Sequence, residues 1–379
     1  MQKRHIFFYK LLRPLAPIFL WIKFGYRYQK ATNLPDTYIV LSNHTTDYDF
    51  LMVTSSFPQQ MYFVGSEHIA RWKFLYKILC YCFGFITRSK GTTASSTVME
   101  MLRTLRSGSN VCLFAEGNRC WDGITGSILP STGKVVKKAR CGLVTYRIEG
   151  GYFASPRWSG ANTRRGRVYG APVNVYTAEQ LATMSADEIN AIITRDLHED
   201  AYARQLASPS KYKGKGLAEN METVLFICPQ CGKLDTFQSH DDTVSCSACG
   251  LSFRYNEYGM LEGAPFRTVR ELYTWQLQQV ENAIDNGMAY TADSGKLSLI
   301  ADHSETMISQ GPVTMDGNSL TCGDVTIPVE QIIHLAIHGR HGLVFSTADT
   351  YYELLPDKKS NALKFCLLYE ACKHRISNG

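Results

Sequence analysis

Apolar residues along this chain change their spacing in a way that divides it. Up to about residue 215, short continuous apolar runs alternate with stretches of helical period. Tyr38–Leu41, Val111–Phe114 and Leu143–Ile148 read as strands buried on both faces. Between them, Val98, Leu102 and Leu105 mark a helical stripe, with Ser95 or Ser96 available as its cap. A second stripe runs through Ile69, Trp72, Leu75, Tyr76 and Leu79. A polar helix is expected from Ala186 to Gln205, then a linker from Ser208 to Gly216. Strands alternating with helices imply an α/β domain over residues 31–215, with a largely parallel sheet flanked by helices.

Beyond residue 215 the pattern changes. A small cysteine-rich module occupies 224–262, and a linker helix is expected over 266–288, centred on Thr268–Asn286. From Leu297 many short β-type runs are separated by Gly, Asp, Asn and Pro, and an amphipathic helix follows from Lys359 to Arg375. Residues 290–379 therefore read as a mainly-β domain with a terminal helix, a pattern similar to the pleckstrin-homology fold and to other small β-barrels and sandwiches.

The first 30 residues are apolar but interrupted. Lys10, Arg13 and Lys23 break the run, and its longest uncharged stretch, Pro14 to Ile22, spans nine residues. A membrane-spanning helix needs about 20. Cations mixed with Phe, Trp21 and Tyr fit a segment lying in a membrane interface, rings at headgroup level and charges towards phosphates. A helix packed on the protein's own core would use the same residues.

Composition narrows the picture only slightly. The chain has 379 residues, 45% hydrophobic and 20% charged, with a formal net charge of +6. That excludes a disordered chain and a multi-span membrane protein. The charge suits an anionic surface, a phosphorylated substrate or nucleic acid alike. Of the twelve cysteines, eight are scattered, several inside apolar runs, as expected of small core residues in a reducing compartment.

The candidate chemistry begins at Asn43-His44-Thr45-Thr46-Asp47-Tyr48-Asp49, directly after a strand. The ends of strands are where open α/β sheets hold ligands. His44 and Asp49 are five residues apart and cannot share a helix face. They meet only if a turn intervenes and Asp49 starts the next helix. Then the carboxylate can fix one imidazole nitrogen, and the other can take a proton from a hydroxyl. A capping histidine beside a first-turn aspartate would show the same spacing.

At the next strand end stands Phe114-Ala115-Glu116-Gly117-Asn118-Arg119. With the first block, it resembles the glycerol-3-phosphate/1-acylglycerol-3-phosphate acyltransferase family. That family carries Asn-His-x4-Asp, an Arg block, and Phe-Pro-Glu-Gly-Thr-Arg at about this separation. The third block departs at Ala115 and Asn118. The Arg block corresponds to Phe85-Ile86-Thr87-Arg88, with Thr87 where the family has an acid. The family's fourth block, a proline flanked by valines, has no good match in Val144–Gly151. The resemblance implies His44 and Asp49 as the catalytic pair. It implies Arg88, Glu116, Gly117 and Arg119 around the substrate phosphate, for which Arg119 offers a suitable fork and Gly117 a close backbone approach. The donor it implies is acyl-CoA or an acyl carrier protein, and the acceptor lysophosphatidic acid or a related lysophospholipid. No acyl-enzyme is needed, so Cys120 is not expected as a nucleophile. A cytoplasmic enzyme peripherally bound to membrane lipids is the corresponding expectation.

Cys228-Pro-Gln-Cys231-Gly and Cys246-Ser-Ala-Cys249-Gly are paired knuckles separated by fourteen residues. Four thiolates close a tetrahedral zinc and leave no open position, so a structural zinc ribbon is expected. A rubredoxin-like iron centre or redox dithiols would use the same ligands. A competing reading makes the chain a binding protein, with the ribbon and the runs Lys137-Lys138-Ala-Arg140 and Arg164-Arg165-Gly-Arg167 touching nucleic acid. The ribbon's Asp235, Asp241 and Asp242 argue against phosphate contact there, and no nucleic-acid partner is expected.

Overall fold

The computed structural model describes residues 3–66, 80–88, 94–301 and 304–378. The helical stripe expected from Ile69 to Leu79 lies outside the described residues. The chain forms two compact units, Met1–Gly214 and Lys215–Gly379.

The first unit runs α1 (Lys3–Leu12), α2 (Leu15–Phe24), β1 (Arg27–Tyr28), β2 (Tyr38–Ser42), α3 (Asp49–Ser56), β3 (Met61–Ser66) and β4 (Phe85–Arg88). It continues through α4 (Ala94–Arg106), β5 (Asn110–Phe114), α5 (Ser131–Ala139), β6 (Gly142–Glu149), α6 (Gly151–Ala154) and β7 (Tyr169–Tyr176). Three helices close it: α7 (Ala178–Ala182), α8 (Ala186–Leu197) and α9 (Ala201–Ala207). The strands lie in one sheet, in the order β1-β7-β6-β2-β5-β3-β4. Only β6 and β7 pair antiparallel. The other neighbours run parallel, so the sheet is mixed by one pairing.

Every residue of the central β2 is buried, which is why it reads as a continuous apolar run rather than an alternating one. On one face Ile39, Leu41, Val111 and Leu143 pack against Leu102 and Leu105 of α4 and Ile189 and Ile193 of α8. Each such buried side chain is worth about 1.5–3 kcal/mol. This packing brings the ends of β2 and β5 side by side.

Three details of the first unit differ from the sequence expectation. Ser95 and Ser96 lie inside the first turn of α4, which already begins at Ala94. The single polar helix is two, because Asp200 bridges to Ile124 and its carboxylate accepts the Ala203 amide as a new cap. The expected linker is partly packed: Tyr212 is buried, and Lys213 exchanges backbone hydrogen bonds with Arg165, both 2.8 Å.

The N-terminal segment forms α1 and α2, bent by 46°. Its inner side is docked: the buried Tyr9 hydroxyl donates to Phe57 O at 2.9 Å. Arg165 donates to the Trp21 and Ile22 carbonyls, both at 2.8 Å, satisfying the end of α2. Its outer side is bare, with Phe7, Leu11, Leu15, Ile18, Trp21 and Ile22 each more than half exposed. Among the described residues no single helix is long and apolar enough to cross a membrane; only the bent pair passes that test jointly.

The second unit opens with the antiparallel strands β8 (Phe237–His240), β9 (Thr243–Cys246), β10 (Ser252–Tyr255) and β11 (Leu261–Glu262). Helix α10 (Val269–Asp285) follows, started by the Thr268/Glu271 capping box. Its buried Gln276 accepts the Phe226 and Ile227 amides at 2.7 and 3.0 Å and donates to Val224 O at 3.0 Å. Seven strands then form an antiparallel sheet: β12 (Tyr290–Ala301), β13 (Ser304–Met315), β14 (Ser319–Cys322), β15 (Val325–Pro328), β16 (His334–His338), β17 (Gly342–Ser346) and β18 (Tyr351–Pro356). Helix α11 (Ala362–Asn378) ends the unit. It starts later than the expected Lys359 because Asp357 gathers the Lys359 and Ser360 amides into a turn. The buried Lys364 of α11 pairs with the Asp235 carboxylate and donates to Thr291 O at 2.6 Å.

Candidate active site and metal centre

The chain leaves β2 through Asn43, whose side chain acts as an extra rung of the sheet. Its Nδ2 donates to Ile148 O at 2.9 Å, and its Oδ1 accepts Ile148 N at 2.8 Å. Fixing Asn43 to β6 fixes the turn that follows. Asp49, the first residue of α3, is wholly buried beneath that turn. Five donor groups converge on its carboxylate: His44 Nδ1 (2.8 Å), the Thr45 amide (2.5 Å), the Thr45 hydroxyl (3.1 Å), the Thr46 amide (2.9 Å) and the Thr46 hydroxyl (2.7 Å). Gly151 makes room for the loop, since a Cβ there would stand 2.1 Å from Thr45 Oγ1.

With Nδ1–H committed to Asp49, His44 presents Nε2 as the acceptor nitrogen. Its ring stacks on Phe114 at 4.7 Å between centroids. The side chain is 24% exposed, enough for a reactant to reach it. The turn thus brings His44 and Asp49 together as their spacing requires.

Glu116 follows the adjacent strand β5. One oxygen accepts the His44 amide at 2.6 Å and the other the Gly126 amide at 2.5 Å. Burial pushes its carboxyl up to about 7, with these two amides pulling the other way. Both oxygens are therefore occupied inside the protein, a role that its place in a local motif did not reveal. Gly117 sits in the left-handed region at φ 73°, with nothing within 4 Å of where a Cβ would be. The need is conformational, and the space above the turn is open.

Arg119 is the most suggestive cation of the group. Its guanidinium is 3.7 Å from Asp47 in the histidine loop, and its buried Nη1 has no hydrogen-bond partner. A buried donor left in that state favours an incoming anion. Arg157, which the motif reading did not include, donates to Arg119 O at 2.8 Å and stacks 4.1 Å from the Trp121 ring. Arg88 closes β4, opposite Ser66 of β3; its side chain lies outside the described residues. Cys120 has its thiol pushed up to about 12 by burial, and carboxylates near it add to the shift. It is protonated at neutral pH and unsuited to attack.

Residues 25–149 match the Acyltransferase family model. The matched segment contains the histidine turn, Arg88 and the Glu116–Arg119 turn. No curated protein sequence matches the chain. Among solved structures the chain is similar to the 1-acyl-sn-glycerophosphate acyltransferase PlsC from Thermotoga maritima, at 16% identity over 53% of this chain and 80% of that one, with a TM-score of 0.44. It is also similar to the N-terminal PH domain of human ARAP2, at 18% identity over 24% of this chain and 83% of that one, TM-score 0.19. A third is the C-terminal domain of an unknown protein from Leishmania infantum, at 10% identity over 26% of this chain and 97% of that one, TM-score 0.17.

The four knuckle cysteines converge in the second unit. Their sulfurs all lie within 4.8 Å of one another, with Cys228–Cys249 at 3.7 Å and Cys231–Cys246 at 3.9 Å. A tetrahedral zinc with bonds of about 2.3 Å spaces its sulfurs by about 3.8 Å, so the ligand set fits. Gly232 and Gly250 turn through φ 71° and 77°, and their amides return to the Cys228 and Cys246 carbonyls at 2.8 and 3.0 Å. Only glycine adopts that conformation without cost.

Proposed function

We propose that this protein transfers a fatty acyl group from acyl-CoA or an acyl carrier protein to a hydroxyl of lysophosphatidic acid or a related lysophospholipid. The observation that carries this reading is a histidine with Nδ1 fixed by a saturated carboxylate, on a loop whose Asp47 lies 3.7 Å from a buried Arg119 nitrogen that makes no hydrogen bond. His44 Nε2 takes the acceptor hydroxyl's proton as the oxygen attacks the thioester carbonyl. Asp49 stabilises the imidazolium, which then returns the proton to the departing thiolate. Arg119, with Arg88 and the Gly117 turn, takes the acceptor phosphate, and Glu116 serves the same pocket by holding the His44 and Gly126 amides.

The exposed apolar side of α1 and α2, flanked by Lys10 and Lys23, supports a peripheral membrane attachment that delivers lipid substrates. The four sulfurs support a closed, structural zinc, which supplies folding energy to the small ribbon and takes no part in proton transfer. In one basic run expected of a nucleic-acid binder, Arg164 is buried, while the exposed Arg165 caps α2 and the exposed Arg167 donates to Ser208 Oγ at 3.0 Å. The decisive experiment is acyl transfer by purified protein to a panel of acceptors with and without a phosphate. Arg119→Ala should weaken only the phosphorylated acceptors, by about tenfold or more in KM. Equal reaction of acceptors lacking a phosphate in the wild type would remove the phosphate role.

A further inference from the structure

The second unit carries a cleft, remote in sequence from the acyltransferase residues, that nothing above employs. Its lip is formed by Arg340 and His341 in the β16–β17 turn, and by Lys358 and Lys359 after β18. Its floor holds Glu222 and Asp235. Both carboxylates are already engaged. Glu222 accepts the Ser239 hydroxyl, and Asp235 takes the Lys364 ammonium and the Asn361 amide. The lip cations are not neutralised in this way. Arg340 donates to the neutral Asn220 amide oxygen at 2.9 Å, and among the described residues neither it nor the two lysines has a carboxylate partner.

Three cations thus face Glu222, whose hydrogen bond from a neutral hydroxyl leaves its charge in place, and the histidine beside them feels both signs. Burial holds the His341 imidazole below its ordinary value, and the neighbouring Arg340 and Lys358 add to the depression; Glu222 opposes it. Three permanent charges on two short loops exceed what a single carboxylate would match, and suit a doubly charged tetrahedral oxyanion. An arginine fork with flexible ammonium groups is a donor set for phosphate.

We infer that Arg340, His341, Lys358 and Lys359 form a second anion site, which binds a phosphate monoester separately from the acyltransferase pocket. The ester is either a lipid headgroup or a soluble phosphate, and the same side chains recognise both. The cleft includes Asp235, four residues beyond Cys231, so a correctly turned ribbon shapes its floor.

The test uses the full chain with two probes: inorganic pyrophosphate, and phosphatidylcholine vesicles with and without phosphatidate. Affinity is compared among wild type, Arg119→Ala, and the triple variant Arg340→Ala/Lys358→Ala/Lys359→Ala, whose three changes lie on exposed side chains. Amine-reactive labelling of Lys358 and Lys359, read by mass spectrometry, reports the site directly. The triple variant should lose at least about tenfold in affinity for a probe that still binds Arg119→Ala, and that probe should protect both lysines in wild type. Protection by phosphatidate vesicles alone identifies a lipid headgroup, and protection by pyrophosphate alone a soluble ligand. Unchanged labelling with both probes, or full affinity in the triple variant, overturns the site.

Discussion

The histidine turn and the cysteine knuckles both aim polar atoms at a single point, but they are held by opposite means. Around Asp49 the geometry comes from outside the loop: Asn43 is stitched to β6, Glu116 grips the His44 amide from β5, and Gly151 clears space. The knuckles carry their own glycine turns and converge on a point that four sulfurs can close with one metal. A site assembled from a sheet is sensitive to distant residues and indifferent to chelators. A site closed by ligands should behave the other way round.

The largest expected effect separates chemistry from architecture. His44→Ala should lower acyl transfer by about 10²–10⁴-fold while the unfolding midpoint barely moves, because the side chain is partly exposed and Asp49 keeps four other donors. Steady-state kinetics beside calorimetry reads both, and a wild-type rate in this variant would end the assignment of His44.

Next comes the metal. Cys228→Ser, or strong chelation, should raise hydrogen exchange across residues 224–262 and release about one zinc per chain, leaving the pH profile of acyl transfer unchanged. Strict parallel loss of zinc and activity in a still-folded protein would make the metal catalytic. Gly151→Ala then probes the support of the histidine turn. The added Cβ overlaps Thr45, so a loss of about 1–3 kcal/mol in denaturant unfolding is expected together with a lower kcat. Unchanged stability and kcat would mean that the turn does not depend on that clearance.

The last test concerns Glu116 and is read from pH alone. Its carboxyl titrates at about 7 when folded, above its ordinary 4.5. The folded protein therefore binds the proton more tightly than the unfolded chain. Relative to Glu116→Gln, the wild type should lose stability as pH rises from about 4.5 to about 7, and level off above. A stability difference that does not vary with pH would contradict a buried carboxyl there.

What could be read from the sequence follows from how local each constraint is. The His44–Asp49 contact was legible because a five-residue spacing permits it only through a turn, and the cysteine quartet because its spacing belongs to few structures. The break at Asp200 was not, since the bridge to Ile124 that creates it spans 76 positions. Tyr212 likewise looked like linker until its ring found Phe153, 5.2 Å away between centroids. Glu116 was legible as a residue that matters and illegible in what it touches. An acid in a motif announces a charge, but its partners are amides supplied by two other loops.

Lys364 gives the terminal helix a second significance, one of timing. Its ammonium is buried, and the Asp235 carboxylate that pairs with it lies just beyond a cysteine knuckle, in a residue with φ 55°. A ribbon that has not taken its metal has no reason to hold that turn. Losing one partner of a buried ion pair costs about 3–5 kcal/mol, a large part of a domain's usual reserve of about 5–15 kcal/mol. During synthesis the ribbon emerges some hundred residues before α11. Under the proposed structural zinc, α11 thus inspects a knuckle made before it: a chain starved of the metal would be left with a loose helix, open to proteases as a marker of incomplete assembly.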